Sequence, residues 1–556
     1  MHAPSPPELS ANHRPYAARY RAAGDWVTDP VPDFVAAWAA RTPDRVALVD
    51  REGQLSYAEL ARLVRRAAAG LWALGLRPGD SLALQMPNWR EFAIFQQAAA
   101  RIGVCYVPLL PQMRAAEIAY LLGASRACAI VLAAAYRGFD HLRMLQALRP
   151  SLPLLRHMFV AAAPAGLCRE GSVWSTHGFL GRPWEDEYGE AVDAVQVHPD
   201  ALRHVLFTSG TEARPKGVLH SFNTAFFPLK RHQSYFALGP DDAILTGSTV
   251  GHGIGAMFGV ELGLFLGGKV VLMEAWSAAD ALAVIERERC TLMWATTTFW
   301  TDLVNAPEAR QHDLSSFRLA LTAGAPVLRP LVAQVRETLG ATLVAAYGQS
   351  EGHNMSIHRK GESVERITSS DGLINAGIDY KLVDADRQPV PRGQPGEFAY
   401  RGPNVCLGYL DPAHTARAFD AEGFIHSGDL VEVDEQGYLR VVGRQKDIII
   451  RGGENISPAE LEEIVYQHPA VADAAVIGVD DERLGQRTCA VVVLRKGASL
   501  SLCELVDFFR ERQVAKFKWP ERLEIVTEFP RTAVGKVRKD VLRTQVLAAS
   551  QAGAAD

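Results

Sequence analysis

The sequence has no CxxC pair, no long apolar run free of charge and no strong excess of charge of either sign. Its seven cysteines are scattered over 556 residues, which argues against a disulfide framework or a zinc site and predicts reduced thiols in a cytoplasmic protein. Lys and Arg number 58 against 63 Asp and Glu, so the composition indicates neither a nucleic-acid partner nor an anionic membrane. Any anion must be bound locally.

The sequence also lacks the patterns typical of targeting peptides and of membrane-spanning segments. The first fifteen residues lack a basic region followed by an apolar run, and the apolar stretch 259–273 is interrupted by Glu261 and Lys269. Neither secretion nor a membrane span is therefore expected. No repeat of 20 to 50 residues is evident, which sets solenoids and propellers aside. With 48% hydrophobic and 22% charged residues, the chain is typical of a packed protein of two to four folding units.

The first 345 residues or so alternate between helical and strand patterns. Ser56 and Glu59 form a capping box, and the apolar residues that follow recur at helical spacing as far as Leu74. Residues 81–86 then read as a short strand. Repeated alternation of this kind predicts an α/β fold in which helices pack on largely parallel sheets.

The pattern changes after about residue 372. Short β-like runs separated by Pro, Gly and Asp predict a β subdomain. After residues 443–447 the pattern becomes α+β, with a helix that begins at Ser457 and Pro458. Residues 474–479 and 488–494 read as strands and 502–512 as a helix, which predicts a small terminal domain.

The segment most informative about function is 207–217, which reads Phe-Thr-Ser-Gly-Thr-Glu-Ala-Arg-Pro-Lys-Gly after an apolar run. A strand followed by a loop rich in hydroxyls and glycine offers backbone N–H groups, hydroxyls and Lys216 to a polyphosphate. The segment does not match the Walker A pattern. Its composition alone leaves an ordinary polar turn equally open.

Segment 207–217 resembles the phosphate-binding signature of the adenylate-forming superfamily of acyl-CoA synthetases, adenylation domains and luciferases. Further segments resemble that family's other signatures in the same order, and these are 323–326 (Ala-Gly-Ala-Pro), 347–351 (Tyr-Gly-Gln-Ser-Glu), 396–409, 427–429 (Ser-Gly-Asp), 443–458 and 530–536. Residues 20–26 and 86–92 resemble the branch that holds aryl-acid (dihydroxybenzoate)–AMP ligases and alicyclic or medium-chain acyl-CoA ligases.

The resemblance implies a large N-terminal AMP-binding domain over residues 1–445, built of two helix-flanked sheets and the β subdomain. It also implies a small, mobile α+β domain over residues 446–556, with a hinge at Lys446. After adenylation that domain would rotate, withdraw Lys536 and bring the glycines at 452 and 453 to the active site.

The resemblance also implies a role for each matching residue. Lys536, Thr208, Glu351 and His252 are the expected catalytic residues, and Glu351 is the expected Mg²⁺ ligand. The expected nucleotide-binding residues are Thr208, Ser209, Gly210, Thr211, Lys216, Gly324, Ala325, Pro326, Ala346, Tyr347, Gly348, Gln349, Ser350, Asp429, Arg444, Lys446, Gly453 and Lys536. Among these, Asp429 is expected to accept hydrogen bonds from the ribose hydroxyls, and Lys536 to bridge the carboxylate and the α-phosphate.

Two departures from the family pattern stand out. Glu212 occupies a place in the phosphate loop where a hydroxyl is common, and a carboxylate there would repel triphosphate unless it points away or pairs with Arg214. Gly253 follows His252 where the catechol-acid enzymes carry an asparagine. This argues against dihydroxybenzoate as the substrate. Small residues at 253, 255, 256, 324 and 346 instead favour a roomy apolar pocket.

The function that the resemblance implies is ATP-dependent ligation of an aliphatic, alicyclic or simple aryl carboxylate to CoA, through an acyl-adenylate, with release of AMP and pyrophosphate. ATP, Mg²⁺ and CoA are the expected cofactors and substrates, and a monomer or homodimer is expected. One alternative is an adenylation enzyme that loads a carrier-protein phosphopantetheine. A nucleotide-binding protein without catalysis is a weaker alternative, because the positions of Lys216, Glu351, Asp429 and Lys536 are all filled.

Overall fold

The computed structural model describes residues 10–208, 215–323, 327, 329–391, 393–444, 447–451, 454–481, 483–512, 514–532 and 537–553. The strands are β1 (Val46–Asp50), β2 (Gly53–Ser56), β3 (Ser81–Gln85), β4 (Cys105–Leu109), β5 (Ala127–Ala133), β6 (Ala135–Tyr136), β7 (Phe139–Asp140), β8 (His157–Ala161), β9 (Arg169–Glu170), β10 (Val173–Ser175), β11 (Leu202–Phe207), β12 (Gly217–Ser221), β13 (Ala243–Thr246), β14 (Lys269–Leu272), β15 (Leu292–Ala295), β16 (Leu319–Ala323), β17 (Thr342–Gln349), β18 (His353–Ile357), β19 (Leu373–Ile374), β20 (Asp379–Val383), β21 (Gly396–Arg401), β22 (Gly408–Tyr409), β23 (Ile425–Val433), β24 (Leu439–Arg444), β25 (Ile449–Arg451), β26 (Glu454–Ile456), β27 (Val471–Asp481), β28 (Gly485–Leu494) and β29 (Arg522–Ile525).

The α-helices are α1 (Ala17–Ala22), α2 (Phe34–Arg41), α3 (Tyr57–Ala73), α4 (Arg90–Arg101), α5 (Ala115–Ala124), α6 (His141–Leu148), α7 (Thr176–Gly181), α8 (Glu185–Asp193), α9 (Phe222–Phe236), α10 (Leu262–Leu266), α11 (Ala278–Glu288), α12 (Thr297–Asn305), α13 (Arg329–Leu339), α14 (Val364–Ser369), α15 (Pro412–Ala418), α16 (Pro458–Tyr466), α17 (Leu502–Glu511) and α18 (Lys539–Gly553). A π-helix over Ile254–Glu261 runs directly into α10.

The chain divides into two compact units. The first comprises the chain up to residue 379 together with 401–425, and the second comprises 380–400 and 426–556. The four strands β20, β21, β23 and β24 therefore fall mainly in the second unit. The family resemblance instead implies that this β subdomain belongs to the N-terminal domain, with the boundary at 445/446. Lys446 lies outside the described residues, so the hinge stays a prediction.

Two nine-stranded sheets, flanked by helices, dominate the described part of the first unit, which also contains the short β6–β7 hairpin. Their strand orders are β19-β18-β17-β16-β15-β13-β14-β1-β2 and β22-β12-β11-β4-β3-β5-β8-β10-β9. The inner strands pair in parallel, whereas β17–β18 and β11–β12 are antiparallel hairpins. This confirms the predicted α/β architecture. Parallel strands covered on both faces are buried throughout, as β4 is along its whole length.

The predicted helix after Ser56 begins and ends close to where the sequence indicates. The Ser56 hydroxyl accepts from the Glu59 backbone N–H at 3.2 Å, and the Glu59 carboxylate accepts from the Ser56 N–H at 2.8 Å. This capping box starts α3, whose apolar face packs with α4 in one core. Strands of both sheets, β1 and β3, contribute Leu48 and Leu82 to that core.

The second unit holds a four-stranded sheet of order β20-β21-β23-β24 and a sheet of order β26-β25-β28-β27, in which β29 adds to β28. Helix α16 begins as predicted, because the Ser457 hydroxyl accepts from the Glu460 N–H and Pro458 follows the cap. The long hairpin β27–β28 contains both of the strands expected near residues 474 and 488.

Candidate active site

Thr208 and Lys216 meet at the base of the β11–β12 hairpin. Phe207 pairs with Gly217 across the hairpin, and the next two residues extend the ladder. The Thr208 N–H donates to the Lys216 carbonyl at 3.0 Å, and the Lys216 N–H donates to the Thr208 hydroxyl at 3.3 Å. The ends of the expected phosphate loop are thus fixed. Ser209, Gly210 and Thr211 lie outside the described residues.

Two neighbouring elements support this hairpin. The Tyr120 hydroxyl of α5 donates to the Pro215 carbonyl at 3.1 Å, and the Leu410 N–H donates to the Gly217 carbonyl at 2.8 Å. A β-carbon at Gly217 would lie 2.4 Å from the Leu410 side chain, so a larger residue at that position would force this leucine to move. The close approach seats β22 against β12, where Tyr409 pairs with Val218.

The expected Tyr347–Glu351 segment forms the end of β17 and the turn into β18. Tyr347 is buried, and Gly348 packs so closely that a β-carbon there would lie 1.8 Å from the His353 carbonyl oxygen. Glu351 stands in the turn. Its Oε1 accepts a hydrogen bond from the Tyr409 hydroxyl at 2.8 Å, and its carbonyl accepts from the Cys406 N–H at 2.7 Å.

The β11–β12 hairpin and the Glu351 turn are joined directly by His220. This residue lies on β12, and its Nε2 is 2.7 Å from the Ser350 carbonyl oxygen. A carbonyl accepts only, so Nε2 carries the proton. Burial lowers the pKa of His220 to about 4, which keeps the ring neutral. Neither His220 nor Tyr409 is among the residues predicted from the sequence. A histidine in an otherwise apolar strand is the available signal for the first.

Carboxylate and hydroxyl oxygens are the ligands that Mg²⁺ prefers. Glu351 supplies a carboxylate whose orientation is fixed by Tyr409. This side chain therefore fits the ion.

His252 precedes the π-helix and contacts it locally. Its Nδ1 accepts from the Ile254 N–H at 3.3 Å, so part of its role is that of a helix cap. Gly251 lies against the end of β4, where a β-carbon would be 2.5 Å from the Leu109 carbonyl oxygen. Asn88 fixes the backbone that leads into this segment, because its side chain forms hydrogen bonds of 2.8–3.0 Å with the backbone of residues 246, 248 and 250. No sequence signal singles out Asn88 for this role.

The small residues expected to leave an open pocket do not all do so. A β-carbon at Gly255 would lie 2.2 Å from the Thr249 carbonyl oxygen, so this glycine allows backbone packing. Ala256 and Ala346 are buried in apolar cores. Gly253 differs from these, because a β-carbon there would lie 3.5 Å from the Leu206 side chain, which is an ordinary contact distance.

Asp429 and Arg444 face each other across β23 and β24 in the second unit. Arg444 Nε lies 2.9 Å from Asp429 Oδ1. The Asp429 side chain is buried, and that of Arg444 is exposed. Glu397 braces the preceding turn, since it accepts from the Gly428 N–H at 3.0 Å and lies 3.1 Å from His426. Burial would raise the pKa of Glu397, but these hydrogen bonds hold it below its usual value.

Several of the predicted residues belong to segments that the structure does not describe. Gly324, Ala325, Pro326, Lys446, Gly453 and Lys536 lie outside the described residues, as do the loop residues named above. Within the described ranges, none of the helices combines the length and apolar character that a membrane crossing requires.

Comparison with known proteins agrees with this geometry. Residues 35–410 match the family model described as AMP-binding enzyme, and residues 460–536 match that of the AMP-binding enzyme C-terminal domain. A medium-chain fatty-acid–CoA ligase of Escherichia coli K12 is 35% identical over 95% of this chain and 93% of its own length. A 2,3-dihydroxybenzoate-AMP ligase of Bacillus subtilis is 32% identical over 95% and 96%.

Among solved structures, ATP-bound MatB from Rhodopseudomonas palustris superposes with a TM-score of 0.81 at 26% identity, covering 92% of this chain and 98% of that one. The family models match more than half of the chain, and the relatives match nearly all of it. The chain belongs to the AMP-binding enzyme family, the adenylate-forming superfamily of AMP-forming ligases.

Proposed function

We propose that this member of the family is a carboxylic acid–CoA ligase, which activates an aliphatic, alicyclic or simple aryl carboxylate with ATP. The observation that carries the proposal is the joining of the Thr208–Lys216 hairpin to the Glu351 turn through Tyr409 and His220. Lys216 and the Glu351 carboxylate therefore lie on two elements that hydrogen bonds join. That combination suits a magnesium nucleotide.

The chemistry needs two steps because a carboxylate is a poor acyl donor to a thiol. In the first, a carboxylate oxygen attacks the α-phosphorus of ATP, and pyrophosphate leaves. In the second, the CoA thiol, having lost its proton, attacks the carbonyl carbon of the acyl-adenylate, and AMP leaves. Both leaving groups are anions, so the protein must neutralise charge on phosphate.

Lys216 is proposed to do this for the β- and γ-phosphates. The backbone N–H groups of Thr208 and Lys216 donate within the hairpin, so the contact to phosphate is assigned to the lysine side chain and not to these two amides. Glu351 would hold Mg²⁺, which shields the charge of the triphosphate. The Tyr409 hydroxyl fixes the rotamer of that carboxylate.

The roles of the second unit rest on the resemblance. Asp429 is proposed to bind the ribose hydroxyls and Arg444 to support the ribose or phosphate. Their 2.9 Å ion pair orients the carboxylate. Lys536 is proposed to act in adenylation only. Rotation about the hinge at Lys446 is then proposed to replace Lys536 at the active site by the face of the domain that carries Gly453. His252 is proposed to line the boundary between the acyl site and the thiol tunnel.

CoA is proposed as the acceptor because the relative named as a medium-chain fatty-acid–CoA ligase matches 95% of this chain. The absence of an asparagine after His252, where Gly253 stands, disfavours a catechol acid. A second candidate, transfer to a carrier-protein phosphopantetheine, is favoured by the similarity to a Mycobacterium tuberculosis enzyme named as salicyl-AMP ligase / salicyl-S-ArCP synthetase, which is 32% identical over 95% of this chain.

The deciding experiment is a screen of carboxylates by ATP–pyrophosphate exchange, followed by thioester formation with CoA and with a phosphopantetheinylated carrier protein. We expect exchange with a medium-chain, alicyclic or simple aryl acid and thioester formation with CoA. Thioester only on the carrier would replace the proposal by the second candidate. Absence of exchange with every acid would refute both.

The Lys536→Ala variant tests whether Lys536 acts in the adenylation step only. It should lose pyrophosphate exchange yet still convert supplied acyl-adenylate and CoA to thioester. Equal loss of both half-reactions would contradict the alternation of domains.

A further inference from the structure

Three buried histidines from two sheets meet beside the Glu351 turn. His204 lies on β11 and His220 directly opposite it on β12, so both side chains project from the same face of one sheet. His353 begins β18 of the other sheet. The ring centroids are 5.1 Å apart for His204 and His220, 4.0 Å for His220 and His353, and 5.5 Å for His204 and His353.

One ring nitrogen from each histidine lies within 4.8 Å of the other two. The side chains are nearly inaccessible, since His204 and His220 are 0% exposed and His353 is 6% exposed. Burial lowers the pKa of His204 and His220, so these two rings are neutral at physiological pH. Neutral imidazole is the form that binds metal ions.

The cluster contains polar atoms without partners. Among the described residues, neither ring nitrogen of His204 and not Nε2 of His353 has a hydrogen-bond partner. A buried polar atom left in this way typically costs about 1–3 kcal/mol. Packing alone does not account for histidine at these positions, because leucine would fill a similar space without that cost.

His220 already has the second contact that metal-binding histidines commonly make. Its Nε2–H donates to the Ser350 carbonyl, which fixes the tautomer and leaves the lone pair on Nδ1. Nδ1 lies 3.1 Å from the Thr224 hydroxyl, and that hydroxyl has another acceptor in the Ser221 carbonyl at 3.2 Å. An ion could therefore take the Nδ1 lone pair without leaving the hydroxyl unpaired.

The backbone of His353 adds a separate observation. Its φ of 52° is left-handed, which is uncommon for a residue other than glycine. Such conformations persist where the surrounding structure imposes them, and they cluster at ligand sites. Here the turn aims the ring of His353 at the other two histidines.

We propose that His204, His220 and His353 bind a divalent transition-metal ion of the Zn²⁺ class. Three imidazoles suit such an ion and leave one coordination position for water, whereas Mg²⁺ prefers oxygen ligands. The site is distinct from the proposed magnesium ligand Glu351. The ion would join β11 and β12, which carry the phosphate loop, to β18, which carries the Glu351 turn. The scattering of the cysteines in the sequence argues only against a zinc site with thiolate ligands, and this site has imidazole ligands.

The test starts from the purified full-length protein, whose metal content is measured per chain. After removal of metal with a strong chelator, Zn²⁺ is titrated back in competition with a chromophoric chelator, and Co²⁺ is added in a parallel sample. We expect one high-affinity equivalent of Zn²⁺ per chain and visible d–d bands from Co²⁺. X-ray absorption at the zinc edge of the wild-type protein should show three imidazole ligands.

Variants locate the site. His204→Leu and His353→Asn should each weaken Zn²⁺ binding at least about 100-fold. Asparagine is chosen because it tolerates a left-handed backbone. The control is His232→Leu, since His232 is equally buried but has its own partners at the Pro228 carbonyl and Asn354, and it should retain the metal.

No stoichiometric metal, a zinc spectrum with fewer than three imidazoles, or binding that survives both substitutions would overturn the proposal. The spectrum of the wild-type protein decides the question even if a variant fails to fold. None of these readouts depends on ligase activity.

Discussion

The Tyr409 hydroxyl donates to Glu351 Oε1 across 2.8 Å, and the two residues come from different sheets. Glu351 stands in the β17–β18 turn, whereas Tyr409 lies on β22 beside the β11–β12 hairpin. One hydrogen bond therefore fixes the orientation of the carboxylate relative to the loop that starts at Thr208.

Tyr409→Phe removes this hydrogen bond and leaves the ring. Hydrogen bonds to charged groups contribute about 1.5–3 kcal/mol, so kcat/KM for pyrophosphate exchange should fall roughly 10- to 100-fold. The loss should be smaller at high Mg²⁺ if the bond serves a metal ligand. Tyr380→Phe, at an exposed tyrosine of the second unit, is the control. An unchanged dependence on Mg²⁺ would contradict the role given to Glu351.

Gly348→Ala should disrupt the β17–β18 hairpin. The new methyl group would lie 1.8 Å from the His353 carbonyl oxygen, and backbone cannot yield as a side chain can. We expect a loss of at least about 3 kcal/mol in the free energy of unfolding, the upper range for overpacking. Urea denaturation measures it. Gly239→Ala is the matched control, because nothing lies within 4 Å of its β-carbon position. Equal stability of the two variants would show that the hairpin is not so closely packed.

The buried ion pair of Arg203 and Glu261 should depend on both partners. Arg203 Nε lies 2.8 Å from Glu261 Oε1, and the side chains are 0% and 3% exposed. Arg203→Met leaves a buried carboxylate unpaired and should cost about 3–5 kcal/mol. The double variant Arg203→Met with Glu261→Leu should recover most of that loss. Urea midpoints of the single and double variants check this, and additive losses would argue against a paired charge.

Cysteine reactivity should follow burial. Cys168 and Cys503 are exposed, whereas the other five thiols are buried. Burial raises the pKa of Cys105 and Cys290 to about 12, which suppresses the reactive thiolate. Native protein should thus label at two sites with iodoacetamide, and urea-unfolded protein at seven. Mass spectrometry of the peptides identifies them. Rapid native labelling of Cys105 would contradict the packing of β4.

Local sequence signals predict the elements that depend on local chemistry. The capping box at Ser56 and the Ser457–Pro458 start each mark a helix that begins where expected, because the cap satisfies backbone groups within three residues. The strand that leads into the expected phosphate loop is also predictable, since an apolar run precedes Thr208 and forms β11. The roles assigned to Lys536 and Gly453 stay predictions.

Relationships between distant segments are not predictable in this way. A predicted hairpin could place His204 opposite His220. His353 lies beside them only because two sheets pack together, and the spacing of apolar residues in the sequence does not predict that packing. Gly255 reads as pocket space because the sequence shows the missing side chain and not the Thr249 carbonyl that takes its place. The assignment of β20 and β21 to the second unit likewise depends on contacts between segments far apart in the chain.

The π-helix over Ile254–Glu261 holds more residues between its two ends than an α-helix along the same path would hold. Losing one residue there moves the winding toward that of an α-helix, and the tighter winding offsets the lost residue. The flanking residues His252 and Glu261 would therefore turn around the axis by much less than the roughly 100° that one residue spans in an α-helix. A single-codon deletion is thus easier for the fold to absorb in this segment than in a regular helix, and the pairing of Glu261 with Arg203 would survive it.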